Sequence, residues 1–112
     1  MSEYYDKFVK DYPQYKKEPL IKKSFEVAEE AHEGQLRNSG EPYITHPYEV
    51  SRILAELSLD SASICAAMLH DVPEDTDYTL EQVEKEFSPE IAKMVDGVTK
   101  LKKFEFQSKE EA

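Results

Sequence analysis

From Ala62 to Leu69 the chain reads Ala-Ser-Ile-Cys-Ala-Ala-Met-Leu, apolar at nearly every position, and this run ends on the pair His70-Asp71. Asp60 stands just ahead of it and has the side chain of a good helix cap, so a helix is predicted from there to about His70. A helix that is apolar nearly all round leaves no face for water and has to be buried on all sides. With only three glycines in the chain, and strand-like alternation short wherever it occurs, the fold class expected is all-α: a helical bundle with this segment inside it.

The other elements follow from local chemistry. A first helix is predicted over about Glu3–Asp11, before Pro13. A second runs over about Pro19–Glu33, with Leu20, Phe25, Val27, Ala28 and Ala31 as its apolar stripe and Gly34 placed to stop it. Gln35 to Thr45 reads as a loop, because Asn38, Ser39, Gly40 and Pro42 are turn residues. A third helix starts near His46 with Pro47 at its first position, and Val50, Ile53, Leu54 and Leu57 form its apolar face. Thr79 and Gln82 make a capping box for a short helix, and Ser88-Pro89 begins a further one, to about Gly97 or beyond. The charged tail, about 102–112, is expected to be solvated. No internal repeat or interdomain linker is seen, so one domain is expected over residues 1–112.

Charge narrows the function. Lys and Arg number 14 against 24 Asp and Glu, a net charge of −10. Broad binding to DNA or RNA needs a basic face and is disfavoured. A small nucleotide is not, because a bound cation and a few local basic groups can receive phosphates inside an acidic protein. The single cysteine, Cys65, cannot pair within the chain and sits in the apolar run, as a buried small hydrophobe would. No secretory core is read in residues 1–10, and no apolar stretch approaches bilayer length. A cytoplasmic protein with no membrane contact is expected.

The residues that carry chemistry are His46, His70, Asp71, Glu74 and Asp75. The third and fourth helices are of nearly equal length and joined by only two or three residues, which favours an antiparallel hairpin. Each spans about 16 Å, so the start of the third lies beside the end of the fourth and His46 is expected to face His70 and Asp71. A carboxylate at the end of a buried helix is costly unless paired or bound to metal, and the helix C-terminus itself favours a cation. Two imidazoles and a carboxylate suit zinc, manganese or iron. Glu74 and Asp75 follow at once; neighbouring carboxylates push each other's proton affinities apart, a way to obtain one group that handles a proton and one that stays charged. Taken singly, each residue has a plainer reading as cap, surface group or solvated turn. His32 is read as structural, and Tyr4, Tyr5, Tyr12 and Tyr15 as packing groups.

Three stretches add a resemblance. Residues 31–47 read AHEGQLRNSGEPYITHP, residues 66–76 read AAMLHDVPEDT, and residues 95–101 read VDGVTKL. In this order they resemble the N-terminal HD hydrolase domain of RelA/SpoT proteins, which make and degrade the alarmones ppGpp and pppGpp in the stringent response. The resemblance covers about Leu20 to Leu101. It implies an all-helical HD domain in which His46, His70 and Asp71 are ligands of one manganese ion. It implies that Glu74 and Asp75 act on the attacking water and that the loop at Arg37, Asn38 and Ser39 contacts the guanosine nucleotide. The implied reaction removes the 3′-pyrophosphate, leaving GDP or GTP.

The chain departs from that pattern in three places. The family's fourth ligand, an aspartate, comes from a helix downstream of residues 95–101, and the sequence ends at Ala112 before it, so the N-terminal part of the domain is expected. Pro73 stands where an aliphatic residue is usual, and biases Val72 towards extended backbone. Asn38 stands where a second basic residue is common. Two readings therefore stand side by side: a metal-dependent alarmone pyrophosphohydrolase, and a catalytically inactive or regulatory HD-fold module of a RelA/SpoT-type GTP pyrophosphokinase. Apolar surface left by a partial domain would favour a homo-oligomer.

Overall fold

The computed structural model describes the backbone of residues 2–111 and the side chains of residues 2–101. Helix α1 spans Glu3–Asp11, and the Ser2 hydroxyl caps it by accepting from the Tyr5 amide at 2.9 Å. A single 3-10 turn, Pro13–Tyr15, leads to α2, Pro19–Ala31. The chain then turns at Gly34, whose φ of +83° suits a residue without a Cβ. Helix α2 buries Ile21, Ser24, Phe25 and Ala28, while Leu20, expected on the inner stripe, is 36% exposed.

The loop that follows is ordered by its own backbone. Leu36 and Pro42 form an isolated antiparallel bridge, the Arg37 amide donates to the Glu41 carbonyl at 2.8 Å, and Gly40, at φ +90°, closes the turn. No other β-pairing occurs among the described residues. Helix α3 is Thr45–Glu56 and α4 is Ser61–Leu69, with Asp60 capping α4 through a 3.0 Å bond from the Ser63 amide. Helix α5 is a single turn, Val72–Asp75, α6 is Leu80–Glu86, and α7 is Pro89–Glu111. The capping box of Thr79 and Gln82 is formed at α6, and the Ser88 hydroxyl caps α7. The charged tail expected over about 102–112 has its side chains outside the described residues.

Helix α4 lies at the centre, packed by α2, α3 and α7. Ile64, Cys65, Ala66, Ala67, Met68 and Leu69 are all buried, as a helix apolar on every side requires. A second focus of the core is aromatic. Phe8 packs against Tyr12, Tyr15 and Phe25 at ring-centroid distances of 5.2, 5.6 and 5.1 Å, and Tyr5 meets Phe25 edge-on at 5.7 Å. The N-terminal tyrosines are packing groups, as expected.

Helix α3 corrects the sequence reading in two ways. It begins at Thr45, so Pro47 is its third residue rather than its first. Its buried residues are Pro47, Tyr48, Ser51 and Ala55, whereas Ile53 and Leu57, expected on the core face, are 61% and 65% exposed. The Tyr48 ring packs edge-on against Phe25 and Tyr4, while Leu54 packs partly buried against the core and, with Val50, lines a groove. The groove encloses about 580 Å³ between α3, α4 and α7, and His46 and His70 are among its lining residues.

Candidate metal centre

Three elements converge at one end of the α3–α4 hairpin. His46 is in the first turn of α3, His70 follows the last residue of α4, and Asp71 precedes α5. One nitrogen or carboxylate oxygen from each lies within 4.8 Å of the others. Asp71 Oδ2 is 3.0 Å from His70 Nε2 and 3.5 Å from His46 Nε2. The two imidazole rings meet nearly edge to face, 5.2 Å between centroids. The hairpin geometry read from the sequence is thus the geometry of the structure.

The ring of His70 is set by its other nitrogen. Nδ1 lies 2.6 Å from the Ala67 carbonyl oxygen. A carbonyl only accepts, so Nδ1 carries a proton, and in the neutral ring Nε2 keeps its lone pair for the site. That lone pair faces a carboxylate oxygen buried to 2% exposure. Donor atoms about 2.1 Å from one ion stand about 3–4 Å from each other, and the two separations from Asp71 Oδ2, 3.0 and 3.5 Å, fall in that range. Two imidazole nitrogens and one carboxylate are a donor set for a divalent first-row cation. The residues present fit such an ion.

Asp71 is further held by Tyr43, whose hydroxyl donates to Oδ2 at 2.6 Å. Burial, with the Asp71 hydrogen bond next, raises the Tyr43 hydroxyl well above the ordinary tyrosine range, and the Asp75 carboxylate adds to the rise. The Tyr43 ring lies between two histidines, 4.7 Å from His32 and 5.8 Å from His46. His32 is buried and bonds through Nδ1 to Gln35 Oε1 at 3.0 Å, and Gln35 Nε2 donates to the Asp75 carbonyl at 3.2 Å. His32 therefore packs the loop against the site, in keeping with its structural reading.

The expected reacting pair and nucleotide loop flank the cluster. Helix α5 starts a new turn at Val72, so Pro73 falls at its second position, where a missing amide breaks no helical bond. Val72 is helical and fully buried, against its expected extended bias. Its packing outweighs the local preference. Glu74 and Asp75 are exposed on this turn, and the Asp75 amide bonds back to the Asp71 carbonyl at 2.9 Å. Arg37 Nη1 contacts Glu49 Oε2 at 3.4 Å and Thr45 Oγ1 at 3.3 Å. Arg37 and Asn38 line a cleft of about 280 Å³ with Leu36, Tyr43 and His46. Ser39, at the exposed tip of the turn, is not one of that cleft's lining residues.

Sequence reasoning missed Tyr43, Gln35 and Glu49. No local pattern marked Tyr43, which sits in the turn ahead of α3 rather than on a helix face.

Comparison with known proteins bears on this geometry. The family described as HD domain matches residues 24–112. The chain belongs to the HD-domain family. Over 86 residues, covering 77% of this chain and 13% of the other, it is 56% identical to a guanosine-3′,5′-bis(diphosphate) 3′-pyrophosphohydrolase of Haemophilus influenzae. Over 92 residues, 82% of this chain and 13% of the other, it is 51% identical to the bifunctional (p)ppGpp synthase/hydrolase SpoT of Escherichia coli. It is likewise 51% identical, over 77% of its length and 10% of the other, to a GTP pyrophosphokinase of Streptomyces coelicolor. This HD domain thus spans about one eighth of the length of the first two. A solved structure of a metazoan ortholog of SpoT, described as hydrolysing ppGpp, aligns with a TM-score of 0.66 at 36% identity, covering 70% of this chain and 47% of that one. The RelA/SpoT resemblance and the all-α HD fold read from the sequence are both borne out. No helix among the described residues is long and apolar enough to cross a membrane.

Proposed function

We propose that this chain carries the metal-binding part of a hydrolase centre that removes the 3′-pyrophosphate of ppGpp or pppGpp. The observation that carries the reading is the convergence of His46, His70 and Asp71 in an HD domain about half identical to proteins named for that reaction. Manganese is the ion proposed, with His46, His70 and Asp71 as its ligands. When bound, such an ion supplies Lewis acidity towards phosphate oxygens and activation of a water nucleophile.

The rest falls to the chain's own side chains. Glu74 and Asp75, exposed one turn beyond Asp71, are the pair proposed to take a proton from the attacking water and to stay charged beside it. The cleft that joins Arg37 and Asn38 to His46 suits a nucleotide whose base and ribose rest on the loop while its pyrophosphate reaches the cluster. Arg37 offers a planar guanidinium for that contact, and Ser39 offers a hydroxyl at the turn. A cytoplasmic place of action goes with a nucleotide substrate and a buried, unbridged Cys65.

The test is to incubate the chain with ppGpp or pppGpp and Mn²⁺ and to quantify pyrophosphate and GDP or GTP. Release that requires the metal and disappears in H70A and D71N supports the reading. No release from a manganese-loaded chain extended through the helix that carries the family's fourth ligand overturns it in favour of the second reading, a non-catalytic HD module. The similarity to a protein named only as a GTP pyrophosphokinase is what favours that alternative.

A further inference from the structure

The acidic character of the site raises a question of positioning. Asp71 lies at a helix junction, where its carboxylate has to be aimed rather than merely present. Among the groups that hold it is the Tyr43 hydroxyl from the preceding loop, donating at 2.6 Å to the same Oδ2 that faces both histidines. Tyr43 is itself pinned. Its amide donates to the Gln35 carbonyl at 2.9 Å, its carbonyl accepts from the His46 amide at 2.9 Å, and its ring is packed by His32 and His46. Gln35 ties this loop to the far side of the site through the Asp75 carbonyl. The backbone bond between Tyr43 and His46 couples the placement of the hydroxyl to that of the first imidazole.

We propose that Tyr43 is a positioning residue for the metal centre: its hydroxyl holds the Asp71 carboxylate in the orientation that presents it, together with His46 and His70, to one divalent cation. The inference rests on the metal-site reading above. Partners that orient a metal-ligating carboxylate are worth about 10–100-fold in metal affinity. A direct ligand role is not required of the tyrosine, because its oxygen is engaged as donor to Asp71.

The experiment is a titration of the full chain and of Y43F with Mn²⁺ by calorimetry, and with Co²⁺ by its visible absorption. Phenylalanine keeps the ring and its packing and removes only the hydroxyl. The expected result is Mn²⁺ binding weaker by about 10–100-fold, with a changed Co²⁺ band shape and a metal-free chain that still melts cooperatively. A second measurement uses the unaltered chain: cation binding should perturb its near-ultraviolet tyrosine signal, since Tyr43 donates to a proposed ligand. Equal Mn²⁺ affinity and equal Co²⁺ spectra in Y43F would overturn the inference and leave the metal site standing. So would a tyrosine signal that stays flat while the unaltered chain binds the ion. An unaltered chain that binds neither ion would remove the metal-site reading and this inference together.

Discussion

His46 Nε2 lies 3.5 Å from Asp71 Oδ2 although a whole helical hairpin separates the two in sequence. The pair exists only while α3 and α4 are packed, so an ion bound there is bound to the folded state alone. At a free Mn²⁺ concentration about 100 times its Kd, such linkage stabilises the fold by about 2.7 kcal/mol. For a domain of this size that is a rise of roughly 10 °C or more in Tm. Calorimetric melts with and without Mn²⁺ should show it, and D71N, which keeps the shape and loses the charge, should show no rise.

The cap of the central helix gives a prediction with a pH signature. Asp60 accepts from the Ser63 amide at 3.0 Å, and hydrogen bonds from the Ser63 hydroxyl and amide hold its carboxyl below the usual range. D60A should lose about 1 kcal/mol, whereas D60N should stay near the unaltered chain, because asparagine caps as well as aspartate. A folded-state pKa below the unfolded value means that the ionised cap stabilises above about pH 4 and that this contribution fades as pH falls further. Urea unfolding at pH 7 and near pH 3 should find the gap between D60A and the unaltered chain shrinking at the lower pH.

Cys65 and the buried phenols set the alkaline limit. Burial pushes the Cys65 thiol up to about 12, and Tyr78 is likewise raised to about 12 by burial and the nearby Glu86. Once pH passes the ordinary thiol value, the unfolded chain ionises while the folded chain does not. Stability is therefore intact below about pH 9 and declines as pH climbs towards 12. A thiol reagent should leave Cys65 unmodified at pH 8 until denaturant is added, and C65A should show a shallower alkaline loss. Rapid modification of the folded chain at pH 8 would contradict the burial of this thiol.

The aromatic knot predicts where truncation hurts most. Phe8 is fully buried and touches Tyr12, Tyr15 and Phe25, so it ties α1 and the 3-10 turn to α2. F8A should cost about 3–5 kcal/mol, a large part of the stability of a chain this size. Urea titration followed by circular dichroism would measure it, and a cost under about 1 kcal/mol would mean that α1 is not part of the cooperative core.

Much of this was legible in the residues themselves, and the failures have specific causes. Helix α4 could be read because an all-apolar run with Asp60 before it has only one arrangement that satisfies both. Helix α6 could be read because Thr79 and Gln82 satisfy each other within one turn. Such signals are local. The face of α3 was not local: Val50, Ile53, Leu54 and Leu57 make as good a stripe as Pro47, Tyr48, Ser51 and Ala55, and the second set is the one that packs, with Tyr48 against Phe25 and Tyr4. Helix α5 is one turn long, too short for any periodicity. His46, His70 and Asp71 could be brought together because a short hairpin loop fixes which helix ends meet. Tyr43 could not, since its bond to Asp71 depends on how the 35–43 loop folds back on itself.

Glu74 and Asp75 separate chemistry from binding. Both are exposed on α5 and lie outside the three-residue cluster, so E74Q and D75N should fold and take up Mn²⁺ as the unaltered chain does. Each isosteric amide can still accept a hydrogen bond but cannot hold the proton of an attacking water. Loss of a general base costs about 10²–10⁴ in rate, so kcat for pyrophosphate release should fall by that factor with KM little changed. The contrast with D71N is the decisive comparison: there, metal uptake and turnover should disappear together. If E74Q and D75N both turned over at the unaltered rate while metal-loaded, the proton would have to be taken by a group outside this pair.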